Sequence, residues 1–264
     1  MKLDAKVYIV GAGPGDPELI TVKGLRILQS ADVIMYTDSL VQEDLVKMGS
    51  STAAVYKSAA MTLDEIVAIM VRHVGQGQSV ARLHTGDPSV FGAILEQMTL
   101  LRRAQVAYEI VPGVSSVFAA AAAVGAELTV PDLTQTIILT RMEGRTPMPP
   151  SEQLKDLARH HCTLALYLSA TLVHKAVTDL LAAGWSVDTP VAVVQRVTWP
   201  DQRILRVTLE GLVRAMGDAH ISSHAMILVG WALDPALVEQ DGHRSKLYDK
   251  TFTHRYRKGE HVHG

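Results

Sequence analysis

Lys6–Thr21 reads KVYIVGAGPGDPELIT. Four apolar residues, Val7 to Val10, predict a short buried strand that turns sharply at Gly11 and is released at Pro17 toward a helix. Gly11, Gly13 and Gly15 alternate, so the backbone can turn tightly and be approached closely, which predicts an edge that faces a ligand. A dinucleotide fingerprint would need Gly-x-Gly-x-x-Gly with amides free for a pyrophosphate. Here Asp16 stands at the third glycine position, and Pro14 has no N–H to donate. No Lys-Ser or Lys-Thr follows, so a P-loop is excluded too. The predicted ligand is not anionic at this turn.

Strand-like and helix-like segments alternate outward from this stretch, which predicts an α/β fold with a mainly parallel sheet in the first half. Strands are expected at 7–10, 32–36, 53–56, 80–84 and 108–111. Thr62 and Glu65 have capping-box spacing ahead of a helix with Leu63, Ile66, Val67, Met70 and Val74 on one face. A helix is expected from about Ser89, with Val90, Ile94, Leu95, Met98 and Leu101 turned to the core. The five alanines Ala119–Ala123 form a thin helix that allows close backbone approach. A second series follows, with strands at 136–140, 163–168, 191–195, 204–208 and 226–229 and helices at about 151–160, 172–183 and 209–216. The strand at 204–208 follows its predecessor after only a turn, so this half is expected to be partly antiparallel. The predicted organisation is an N-terminal α/β domain over 1–113, a C-terminal α/β domain over 114–235 and a basic tail over 236–264.

Size and charge narrow the function. The 264 residues are 48% hydrophobic with a formal net charge of −2, and no global positive field recommends a nucleic-acid partner. Cys162 is the one cysteine and sits in an apolar run, which predicts a buried core thiol. No charged-then-apolar leader and no membrane-length apolar run is found, so a cytoplasmic protein is expected. The tail carries Arg244, Lys246, Lys250, Arg255, Arg257 and Lys258 among Tyr248, Phe252 and Tyr256, and is expected to be solvated or docked over an acidic ligand. His261 and His263 are a weak metal signal, and no metal site is assigned.

Three turns share the look of the first: His84–Pro88, Pro112–Ser116 and Arg141–Pro147. Gly11–Asp16, Thr85–Asp87 and Gly113–Ser116 each follow a predicted strand, so a parallel sheet would bring them together along one edge. Their union is neutral to acidic and suits a nucleoside carrying positive charge.

The motifs VGAGPGDPELIT, TGDPSVFGA, VPGVSSVFAAAAAVGAEL, LTRMEGRTPMP and RSKLYDKTFTH together resemble the tetrapyrrole (corrin/porphyrin) methylases, and within them the branch that methylates C11 of precorrin-4 or cobalt-precorrin-4 in cobalamin biosynthesis. The resemblance implies a homodimer of two α/β domains of the class III methyltransferase type, with S-adenosylmethionine in a cleft between the domains. It implies donor contacts from Pro14, Thr85, Gly86, Asp87, Val90, Ser115 and Ser116, and from Leu168, Val197 and Ala225 in the second half. Asp38 is the implied acid–base group and Lys57 its companion. The substrate would be a tetrapyrrole with many carboxylates, for which Arg82, Arg141 and Arg145 are the candidate cations; Arg82 could alternatively be a sheet-edge residue. A methylase of the same fold acting on another tetrapyrrole such as uroporphyrinogen III, or a non-catalytic nucleotide-binding module, are the rival readings.

Overall fold

The computed structural model describes residues 2–239 and 242–259. Within them the chain packs as two compact units. Residues up to Ala119 together with Arg196–Gln202 form the first, and Ala120–Gln195 with the chain from Arg203 onward form the second.

The first unit holds a five-stranded parallel sheet in the order β3-β2-β4-β1-β5. Its strands are β1 (Val7–Gly11), β2 (Val33–Tyr36), β3 (Ala54–Lys57), β4 (Val80–His84) and β5 (Tyr108–Val111). β1, β2 and β4 are buried along their whole length, which is why they read as continuous apolar runs rather than alternating ones. Side chains alternate across the sheet. Tyr8, Val10, Ile34 and Leu83 therefore join one core, where α1 (Val22–Ser30) contributes Ile27 and Leu28 and α2 (Glu43–Lys47) contributes Leu45. Val7, Ile9, Val33, Met35 and Val80 join the opposite core with Ile66, Val67 and Met70 of α3 (Leu63–Gly75). The capping box at Thr62 is formed: Thr62 Oγ1 accepts the Glu65 amide at 3.3 Å and the Glu65 carboxylate accepts the Thr62 amide at 2.7 Å. Such a cap contributes about 0.5–2 kcal/mol.

The helix expected from Ser89 begins instead at Ile94, as α4 (Ile94–Arg103). Phe91 and Ala93 take φ of 53° and 49°, and a Cβ on Gly92 would lie 2.2 Å from the Pro88 carbonyl oxygen, so residues 88–93 form a tight non-helical turn. Val90 lies in that turn and Leu95 is 71% exposed; Ile94 and Leu101 are the positions of the predicted stripe that are buried.

The second unit holds the sheet β6-β7-β10-β8-β9. Its strands are β6 (Ile137–Arg141), β7 (Thr163–Tyr167), β8 (Pro190–Gln195), β9 (Arg203–Thr208) and β10 (Ala225–Val229). β6 and β7 are parallel, while β8 and β9, β8 and β10, and β7 and β10 are antiparallel, so the half is mixed as expected. α5 (Ser116–Val124) carries the alanine run and the change from one unit to the other. α6 (Leu154–Leu157) is one turn flanked by 3-10 turns, not the continuous helix expected over 151–160. The Trp185 indole N–H donates to the Ala158 carbonyl at 2.7 Å in the core there. α7 (Val173–Ala182) and α8 (Leu212–Asp218) complete the unit, and Leu164, Leu166, Val193, Ile227, Leu180 and Leu212 form its core. Cys162 is buried, and burial pushes its thiol up. No helix among the described residues is long and apolar enough to cross a membrane.

Candidate functional site

The turn after β1 spends three of its amides on the protein. The Ala12 amide donates to the His84 carbonyl at 2.7 Å, the Gly13 and Gly86 backbones exchange hydrogen bonds at 3.3 and 2.8 Å, and the Asp16 amide donates to Thr198 Oγ1 at 2.9 Å. Pro14 has no amide hydrogen. An anion cradle needs amides pointed at the ligand, and those of Ala12, Gly13 and Asp16 are already engaged within the protein. The Asp16 carboxylate accepts the Glu18 amide at 2.9 Å and so caps the 3-10 turn Pro17–Leu19.

Packing within the protein requires two of the alternating glycines, Gly11 and Gly15. A Cβ on Gly11 would lie 2.6 Å from the Gly113 backbone, and one on Gly113 would lie 2.3 Å from the Gly86 carbonyl oxygen. Gly11 and Gly113 are bare because the strand-end turns pack against each other. Gly15 lies under Trp199, whose ring would be 2.3 Å from a Cβ there and whose indole N–H donates to the Pro14 carbonyl at 3.1 Å. The Arg196 guanidinium stacks on the Trp199 ring at 4.3 Å. Arg196 and Thr198 take φ of 49° and 64° in this segment, left-handed values that cost of order 1–3 kcal/mol each. Val197 is buried between them in sequence and belongs to the first unit. Nothing in the spacing of VVQRVTWPDQ shows that it packs on the Gly-rich turn, and Thr198 and Trp199 were missed for that reason.

The three strand-end turns of the first unit are neighbours, as the strand order requires. Asp87 joins two of them: its carboxylate accepts the Gly113 amide at 2.9 Å and the Ser89 amide at 2.8 Å, and also accepts the Ser89 hydroxyl. Burial pushes this carboxyl up, but the hydrogen bonds from Ser89 and Gly113 together pull it below its ordinary value. Thr85 is exposed, Gly86 is buried at a φ of 64°, Ser115 is buried and Ser116 opens α5. Pro14 is buried and Val90 is half-buried.

Asp38 and Lys57 follow β2 and close β3. The Asp38 carboxylate accepts the Ala59 amide at 3.1 Å, so it caps the turn after β3 rather than the helix that follows it in sequence. Lys57 pairs with Glu43 at 2.5 Å, an exposed contact that raises the ammonium and lowers the carboxyl through the hydrogen bond and the opposite charges. Arg82 is not at a sheet edge: β4 lies between β2 and β1, and the residue is 4% exposed. Its guanidinium donates to Ser58 Oγ at 2.8 Å, to Gln97 Oε1 at 3.4 Å and to Thr37 Oγ1 at 3.5 Å. Burial lowers it to about 10, and burial together with the Arg82 charge lowers buried His84 to about 3, so His84 is neutral at physiological pH.

In the second unit Leu168 follows β7 with a φ of 54° and 72% of its surface exposed, an apolar side chain on a strained backbone facing solvent. Ala225 opens β10 opposite Gln195. Arg141 closes β6, and its guanidinium donates to the carbonyls of Met142, Thr146 and Pro147 at 3.2, 3.2 and 2.8 Å. It staples its own loop, while Arg145 at the loop's tip is exposed. Ser169, fully buried, accepts the Met142 amide at 3.0 Å and donates to the Tyr167 carbonyl at 2.7 Å, tying the ends of β6 and β7. Among the described residues of the tail, the His254 and Arg257 backbones pair, Arg257 donates to the Leu247 carbonyl at 2.7 Å, and His243 contacts the Pro131 carbonyl at 2.9 Å. His261 and His263 lie outside the described residues. Among the described residues no cluster of three or more His, Cys, Asp or Glu could hold a metal ion.

Residues 6–213 match the family model of the Tetrapyrrole (Corrin/Porphyrin) Methylases. A cobalt-precorrin-4 C(11)-methyltransferase of Priestia megaterium is 60% identical over 96% of this chain and 98% of its own length. The X-ray structure of a cobalamin biosynthetic enzyme, cobalt precorrin-4 methyltransferase, is 59% identical with a TM-score of 0.86, covering 88% of this chain and 97% of that one. A uroporphyrin-III C-methyl transferase from Thermus thermophilus, solved in complex with S-adenosyl homocysteine, is 30% identical with a TM-score of 0.72 over 87% of this chain and 93% of that one. With strand-end turns of this build and a match across nearly its whole length, the chain belongs to the tetrapyrrole methylase family.

Proposed function

We infer that this chain transfers a methyl group from S-adenosylmethionine to C11 of cobalt-precorrin-4 or precorrin-4, a step of cobalamin biosynthesis. The observation that carries the reading is the full-length 60% identity to a cobalt-precorrin-4 C(11)-methyltransferase. The engaged amides of the turn after β1 agree with it, because a donor with a sulfonium and no phosphate needs no anion cradle. The donor's sulfonium makes its methyl carbon electrophilic; as an electron-rich ring carbon of the tetrapyrrole bonds to it, the S–CH3 bond breaks with its electron pair going to sulfur, and S-adenosylhomocysteine leaves.

The protein's task is then to hold the two reactants in line and to keep water out, which are entropic and desolvation effects. Pro14, Thr85, Gly86, Asp87, Val90, Ser115, Ser116 and Val197 are the donor-contacting residues we assign in the first unit, and Leu168 and Ala225 in the second. Asp87 acts by fixing the Gly113 turn, which sets where the backbone of Gly113–Ser116 lies. Asp38 handles the macrocycle proton, and Lys57 balances charge. Arg145 takes a substrate carboxylate, and Arg141 holds the loop that presents it. We place the enzyme in the cytoplasm, and we assign it a homodimer, as the family resemblance implies.

Incubation of the pure protein with labelled donor and, separately, precorrin-4, its cobalt complex and uroporphyrinogen III tests the reading. Label at C11 of either precorrin-4 form is the expected result, with the cobalt form favoured. Label on uroporphyrinogen III alone, or no transfer with tight NAD or ATP binding, would overturn it.

A further inference from the structure

We propose that Arg82 is a positioning residue that holds the Asp38 and Lys57 turns in one register. The inference rests on the functional reading above for the roles of those two residues, but its geometry stands on the first unit alone.

Three facts lead to it. Arg82 is buried at the centre of the sheet, and among the described residues no carboxylate forms an ion pair with it. A buried guanidinium without a counter-ion carries a desolvation penalty that only hydrogen bonds can offset, so the fold retains it against a penalty. Its shortest donor contact goes to Ser58 Oγ, one residue past Lys57, and a longer one to Thr37 Oγ1, one residue before Asp38. The two hydroxyls lie 3.3 Å apart, and Ser58 also donates to the Tyr36 carbonyl at 3.0 Å. The Asp38 carboxylate in turn receives the Ala59 amide. One guanidinium thus sits under a closed circuit that runs Thr37, Asp38, Ala59, Ser58. Gln97, which accepts from Arg82 Nε, ties the circuit to α4.

A side chain that only filled space would be apolar, because an apolar replacement of similar volume carries no desolvation cost. A cation with several fixed donors is suited to orient two hydroxyls on separate turns at once. Misplacement of a catalytic group by about 1 Å can cost about a hundredfold in rate, so loosening this circuit is expected to act on turnover.

The test compares Arg82→Met, Arg82→Lys and Ser58→Ala in the full-length protein, with amide hydrogen exchange, S-adenosylhomocysteine affinity and steady-state kinetics. We expect Arg82→Met to speed exchange of the Ala59 amide at least tenfold and to lower kcat by about 10- to 100-fold. S-adenosylhomocysteine affinity should stay within about twofold, and Arg82→Lys should recover part of the rate. Ser58→Ala should move exchange and kcat in the same direction by less, and it decides the matter if Arg82→Met does not fold. Unchanged Ala59 exchange, unchanged kcat, or a loss of rate matched by an equal loss of donor affinity would overturn the proposal. If the wild-type protein methylates no tetrapyrrole, the functional reading falls while the exchange data still decide the positioning.

Discussion

The Asp87 carboxylate receives the Gly113 amide at 2.9 Å, and this one hydrogen bond couples the turn after β4 to the turn after β5. Replacing Asp87 with Ala leaves that amide without its acceptor, which costs about 1–3 kcal/mol where the group stays buried. Asp87→Ala should lower unfolding stability in urea by this amount and weaken S-adenosylhomocysteine binding by calorimetry. Asp87→Asn should do less, since its carbonyl can still accept.

A pH dependence follows from the same group. The folded-state carboxyl lies below its ordinary value, so its contribution to stability is present above the unfolded pKa, about 3.9. That contribution is lost as pH falls through the depressed folded value. Acid titration of unfolding free energy should show a drop in the wild type below pH 4 that is smaller in Asp87→Asn.

Gly113→Ala places a Cβ 2.3 Å from the Gly86 carbonyl oxygen, and backbone must move to admit it. Overpacking of this kind costs about 1–3 kcal/mol, read as a lower Tm and a weaker grip on S-adenosylhomocysteine. Gly75, at the end of α3, is a control, because a Cβ there meets nothing within 4 Å. Gly75→Ala should stabilise by about 0.4–1 kcal/mol.

Trp199 seals Gly15 and Pro14, so its fluorescence should report the state of that turn. Trp199→Phe removes the indole N–H that reaches the Pro14 carbonyl and should cost about 0.5–1.5 kcal/mol of stability. In the wild type, S-adenosylhomocysteine should shift the emission, and the shift should be absent in Trp199→Phe. An equal shift in both would place the ligand's influence on Trp185 or Trp231.

Asp38→Ala should lower kcat by about a hundredfold to ten-thousandfold if the carboxylate moves the macrocycle proton. Arg145→Glu should raise the KM for the tetrapyrrole and leave donor affinity unchanged, as the exposed tip of a stapled loop predicts. Arg141→Ala should affect both kcat and KM, because the loop carbonyls of Met142, Thr146 and Pro147 lose their common donor. Steady-state kinetics against each substrate separates the three outcomes.

Much of the architecture could be read from composition and period. Each of the ten strands is observed within a residue or so of its expected range, since a buried parallel strand such as Val7–Gly11 is a short apolar run bounded by turn residues. The capping box at Thr62 was legible because its two partners are three residues apart. The start of α4 was not, because Val90 and Leu95 have the right period while Phe91 and Ala93 adopt left-handed backbone that no period reveals.

Linear order thus determined on its own that the chain is α/β, that strand ends carry Gly-rich turns, and that the first of these departs from the dinucleotide fingerprint at Pro14 and Asp16: proline has no amide proton wherever it stands. Only the tertiary structure decided that Gly11 and Gly113 are bare for each other, that Trp199 covers Gly15, and that Arg82 is buried beneath Thr37 and Ser58. These pairings join residues far apart in the chain, where local propensity is silent and packing alone selects the partner.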